Sequence, residues 1–180
     1  MHFTMLISLF LVAPAISHLA PRDNSTGIVG SISAISGQLA AMNATLDRIR
    51  GPDDAQAAVD FQNQATQLRA DLTAATDSVR GSAALDDDAS ASVAYAVVGI
   101  TDVTYAVLGK VVAKHDVFDG LGGGGAITGL VREELQELQN STLGFGEALT
   151  DKFVTQVRNV APLLLSSLEF HFYETIQAYA

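Results

Sequence analysis

Beyond residue 20 the chain has two histidines, His115 and His171, and no cysteine, so few residues could support acid–base, thiol or metal chemistry. His115, Asp116 and Asp119 are close enough in sequence to form a base with an orienting carboxylate. No nucleophile in a recognisable elbow such as Gly-x-Ser-x-Gly accompanies them. Lys114 and His115 read instead as groups complementing the negative end of a helix dipole. His171 and Glu174, three residues apart, could share a helix face, but zinc requires three or four ligands. Asp86, Asp87 and Asp88 lack the glycine and distal glutamate of a calcium loop. They are expected to cap a helix, where negative charge meets the positive dipole end. Four glycines, Gly122 to Gly125, lack the Gly-Lys-Ser/Thr ending of a phosphate loop and read as a flexible connection. The expectation is a non-enzymatic protein with no catalytic residue, metal or cofactor.

The remaining reactive positions point to the secretory route. Asn24-Ser25-Thr26, Asn43-Ala44-Thr45 and Asn140-Ser141-Thr142 are glycosylation acceptor triplets, each with a non-proline middle residue. They follow an uncharged N-terminus whose apolar run, Met5 to Ala13, resembles a secretory leader. Cleavage is expected after Ala15 or Ser17. Residues 1–17 then form a signal peptide, with a short pro-segment to Arg22 and a bundle domain over 23–180. No apolar C-terminal tail suits a lipid anchor, so release or wall association is expected without a transmembrane anchor.

Those residues must be positioned by a core built without disulfides. The 180 residues are 48% hydrophobic but only 7% aromatic, leaving alanine, valine and leucine to fill one domain. A formal charge of −10 repels phosphate backbones, which excludes nucleic acid as a partner. Ile28, Ile32, Ile35, Leu39, Met42, Leu46 and Ile49 recur by fours and threes, the stripe of a helix about 30 Å long. Gly51-Pro52 ends it. A second helix, capped by Asp53 or Asp54, carries Val59, Phe61, Ala65, Leu68, Leu72, Ala75 and Val79 inward to Gly81. The segment Ala89–Phe118 is apolar on every side, with Asp102 the only charge between Asp88 and Lys110. Its valines also suit strands, and its length suits a membrane span, although a central Asp costs about 2.5–3.5 kcal/mol there. An uninterrupted run favours a buried middle helix surrounded by the others. A fourth helix from Ile127 turns Leu130, Val131, Leu135 and Leu138 inward, and a last one carries Phe153 to Tyr179, kinked or started late by Pro162. The fold class is all-α, a single bundle of about five helices.

The leader, the first stripe, the apolar segment ending Leu108-Gly109-Lys110-Val111-Val112-Ala113-Lys114-His115-Asp116-Val117-Phe118, and the ending Phe172-Tyr173-Glu174-Thr175-Ile176-Gln177-Ala178-Tyr179 together resemble one family. It is the fungal hydrophobic surface-binding protein A and cell-wall galactomannoprotein family, and the resemblance spans roughly Gly27 to Ala180. It implies a secreted helical bundle that adsorbs to hydrophobic surfaces, in some members with a fatty acid in an apolar cavity. The chain departs from that pattern in lacking a Ser/Thr-rich stalk and in its four-glycine loop. On this resemblance, the small residues Ala96, Gly99, Ala106 and Gly109 leave room for a ligand, although they also permit close packing. The expected partner is a fatty acid or other apolar small molecule held among Ile32, Leu39, Leu72, Val97, Ile100, Val107, Leu135 and Phe172. The alternative is a surface or cell-wall protein that coats hydrophobic material and recruits a lytic enzyme.

Overall fold

The computed structural model describes residues 24–121 and 126–180; the side chains of Asn24, Pro52 and Ala126 are outside that description. The expected leader, pro-segment and glycine run also lie outside the described residues. Seven α-helices and one 3-10 turn account for nearly all of the rest: α1 (Asn24–Arg48), the turn Pro52–Asp54, α2 (Ala55–Gly81), α3 (Asp87–Ala113), α4 (His115–Leu121), α5 (Ala126–Lys152), α6 (Thr155–Arg158) and α7 (Ala161–Gln177). Five of them are long.

The α1 stripe is buried along its whole length, from Ile28 at 4% exposure to Ile49 at 0%. In α2 the buried line is Ala57, Phe61, Ala65, Leu68, Leu72, Ala75 and Val79. Val59, expected inward, is 52% exposed. Two residues before Phe61, it sits about 200° away around the helix, so Ala57, one full turn before, takes the inner place. Leu130 is likewise exposed because it is one residue off the line Ile127, Val131, Leu135, Leu138. Pro162 stands in the first turn of α7, where its missing N–H costs nothing, so this helix starts late.

The caps follow local chemistry. Asp86 accepts the Ala89 N–H at 2.8 Å, with Asp87 and Asp88 in the first turn of α3. Asp54 does not cap α2 through its side chain; its carboxylate accepts the Arg50 N–H at 2.9 Å across the turn.

The long helices pack as a closed ring in the order α3, α1, α2, α5, α7 and back to α3. Polar ties fix the register. Lys110 Nζ meets Asp47 Oδ1 at 2.6 Å between α3 and α1, Arg69 pairs with Glu137 between α2 and α5, and Lys152 Nζ caps the α2 end through the Arg80 and Ser82 carbonyls. Here the structure corrects one expectation. The apolar α3 is a member of the ring and not its centre; only 28% of its most apolar stretch is buried. Tyr95, Val98 and Val112 face outward. A ring of five helices leaves its axis free, and that axis is not occupied by a helix.

Candidate functional site

The axis holds a cavity of about 80 Å³, several times the ~10–15 Å³ a single water requires. All five long helices line it. Ile35, Leu39 and Met42 come from α1, Phe61, Leu68 and Leu72 from α2, and Leu165, Leu168 and Phe172 from α7. From α3 it takes a face running from Val97 to Val111, and from α5 a face running from Leu135 to Leu149. The fourteen steps from Val97 to Val111 at about 1.5 Å each make the wall about 21 Å long. A second cavity of about 20 Å³ between α2 and α5 shares Phe61, Val111, Leu135 and Leu138 with the first, and ends at Gln62 and Glu134.

Among the described residues, no charged side chain lines the larger cavity. Its polar residues are three threonines. Thr101 and Thr104 donate their hydroxyls to the Val97 and Ile100 carbonyls of their own helix, at 3.1 and 2.8 Å, so these protons are already used within α3. An apolar wall of this kind favours apolar guests over water. Each methylene transferred into it from water gains about 0.8 kcal/mol.

Seven of the eight residues expected around a ligand border this cavity: Leu39, Leu72, Val97, Ile100, Val107, Leu135 and Phe172. Ile32 does not. It is 1% exposed, packed in the core two turns before Leu39 and outside the wall. The small residues expected to create the room are not on the wall either: Gly99, Ala106 and Gly109 are exposed, and Ala96 is half-buried against the core. Room comes instead from the ring arrangement, and from Gly146, where α5 and α7 approach closely. A Cβ there would stand 2.2 Å from Leu165 Cδ2. Sequence reasoning missed Gly146, Leu165 and Thr142; the run Gly144-Phe145-Gly146 inside a helical pattern was the available signal.

The other chemistry-bearing residues sit elsewhere. His115 Nδ1 lies 3.1 Å from Asp116 Oδ1 at the α3–α4 junction, with its ring edge-on to Tyr179 at 5.0 Å, away from the cavity wall. Tyr179 donates its hydroxyl to the Val111 carbonyl at 2.6 Å, and burial holds that hydroxyl well above the ordinary tyrosine range. Among the described residues no group of three or more His, Cys, Asp or Glu could hold a metal. Of the acceptor triplets, Asn140 is exposed on α5, whereas Asn43 is half-buried with Thr45 at 2% exposure.

A family model described as hydrophobic surface binding protein A matches residues 26–151. The chain belongs to this family. Among solved structures it is similar to Afmp4p in complex with palmitic acid, with a TM-score of 0.81 and 23% identity over 87% of this chain and 99% of that one. It is also similar to ligand binding domain 1 of the Penicillium marneffei MP1 protein, complexed with arachidonic acids, with a TM-score of 0.78 and 14% identity over 88% and 99% of the two chains. Ligand binding domain 2 of the same protein, complexed with multiple arachidonic acids, gives 0.75 at 14% identity over 87% and 94%. The family and these neighbours are described as binding proteins. At such identities the likeness to the solved structures is one of fold, and it covers more of the chain than the family match does. A comparison with curated protein sequences gives no match.

Proposed function

We propose that this protein is a secreted, non-enzymatic carrier of single-chain lipids, and that it holds the acyl chain along the axis of its helical ring. The observation that carries this reading is a cavity bordered by all five long helices with no charged group on its wall. Leu39, Leu72, Val97, Ile100, Val107, Leu135 and Phe172 are assigned to the acyl contacts. The fatty acids bound by the neighbours of like fold support the same ligand class. Secretion rests on the leader-like run of residues 1–17, and of Asn43 and Asn140 the exposed Asn140 is the better placed for a glycan. Displacement of a fluorescent fatty acid by palmitate tests the carrier. Saturable, one-to-one displacement is expected; no displacement at micromolar palmitate overturns it.

A second reading, adsorption to hydrophobic surfaces with recruitment of a partner enzyme, is favoured by the apolar outer side of α3 and α7. Tyr95, Val98, Leu163, Phe170 and Tyr173 are each more than half exposed there. Retention on an octyl resin should fall when Tyr95, Val98 and Leu163 are changed together to serine, and retention equal to that of the unaltered protein would remove this reading.

A further inference from the structure

If the axis carries an acyl chain, its polar head must come to rest somewhere, and the cavity wall offers little to receive it. Thr101 and Thr104 spend their hydroxyl protons on their own backbone. The wall is buried nearly throughout, and its only half-exposed members are Val97, Ile100 and Thr101 on α3, Thr142 and Gly146 on α5, and Leu165 on α7. These place the opening beside the seam between α3 and α7.

A polar cluster bridges that seam immediately outside the wall. The Tyr105 hydroxyl lies 2.7 Å from Ser167 Oγ, and the Tyr105 ring stacks on His171 at 3.9 Å. His171 Nδ1 faces the Ser167 carbonyl at 2.8 Å, and because a carbonyl only accepts, Nδ1 carries the proton. Two hydroxyls hold two protons and one of these joins them, so one O–H is free to donate outward. About two turns towards the helix starts the seam is flanked by exposed Val98 and Leu163, which tolerate an alkyl chain passing over them. The nearest acids along the two helices, Asp102, Glu169 and Glu174, are solvent-exposed and therefore screened.

We infer that the α3–α7 seam is the ligand's mouth, and that the Tyr105–Ser167 hydroxyl pair, with the Tyr105 ring held against His171, receives the carboxylate of a fatty acid. This rests on the carrier reading and adds the head-group chemistry to it. A carboxylate here accepts the free hydroxyl proton, a charge-assisted bond stronger than a neutral one, while the chain lies on the apolar wall.

The test compares palmitate with methyl palmitate, whose chain is the same and whose head carries no charge, on the full-length protein. The unaltered protein should bind the acid about tenfold more tightly than the ester. Tyr105→Phe with Ser167→Ala should erase that preference and leave ester affinity unchanged. Tyr105→Phe alone, which keeps the ring stacked on His171, should reduce it several-fold even if the double variant folds poorly. A preference that survives both variants, or that vanishes instead in Thr142→Val, overturns the assignment while leaving the carrier intact. Failure of both lipids to bind the unaltered protein defeats the carrier reading and this inference with it.

Discussion

Helices α1 and α3 are neighbours in the ring and both are apolar, yet they are used in opposite ways. The stripe on α1 vanishes completely into the core, with Leu46 and Ile49 at 0% exposure. On α3, the more hydrophobic of the two, Val97, Ile100 and Val103 are only half-buried and Tyr95 is 79% exposed. Apolar content therefore does not measure burial in this molecule. On α1 the apolar stripe turns wholly inward, where Ile35, Leu39 and Met42 border the cavity and the rest hold the fold. On α3 one face borders the cavity and the other meets solvent, an arrangement suited to contact with something apolar that is not the protein.

The largest expected effect separates the two helices by stability. Leu46→Ala should cost about 3 kcal/mol, because it removes a fully enclosed side chain and leaves a cavity. Val98→Ala should stay within about 0.5 kcal/mol. Urea titration of both variants checks the contrast, and similar costs would break it. Next, Val107→Phe adds bulk from the α3 wall into the axis. It should weaken acyl binding at least tenfold, about 1.4 kcal/mol, while a thermal melt of the ligand-free protein changes little.

The contrast also runs within α3, whose C-terminal part is closed by Phe118 and by the Tyr179 hydroxyl on the Val111 carbonyl. Tyr179→Phe leaves that carbonyl without its donor and should cost about 1 kcal/mol. Its pH signature has a definite sign. The folded state holds the phenolic proton more tightly than the unfolded chain does, so this stability is complete below the ordinary tyrosine value of about 10 and is lost as pH rises beyond it. Denaturation midpoints measured from pH 7 to 11 should fall less steeply in Tyr179→Phe than in the unaltered protein. The smallest effect belongs to Gly146→Ala. The flexible end of Leu165 must move aside, which should lower palmitate affinity a few-fold and stability by less than about 1 kcal/mol.

How much of this could be read from the sequence depended on the contrast between faces. Where polar and apolar residues alternate with helical period, as in Ile28 to Ile49 or Ala65 to Val79, the inner face was legible to the residue. Val59 and Leu130 were misplaced because each was chosen for its hydrophobicity, against the angle its position sets. On α3 every face is apolar, so the pattern carried no direction, and a helix at the centre was the natural reading. The cavity wall was largely legible through the inner stripes that converge on it. Its origin was not: a vacant axis is a property of how five helices close into a ring, and no single segment encodes it. The seam residues Tyr105, Ser167 and His171 come together only through the parallel packing of α3 against α7, with the paired hydroxyls 62 positions apart in the chain.

The central claim is that the ring axis is a lipid site. Native mass spectrometry of the protein taken directly from its producing cells or their medium, followed by lipid identification on the denatured sample, tests it most directly. The account predicts a mass excess matching one or more single-chain acyl species, lost from Val107→Phe. A protein that emerges empty and still gains no mass when incubated with palmitate would contradict it.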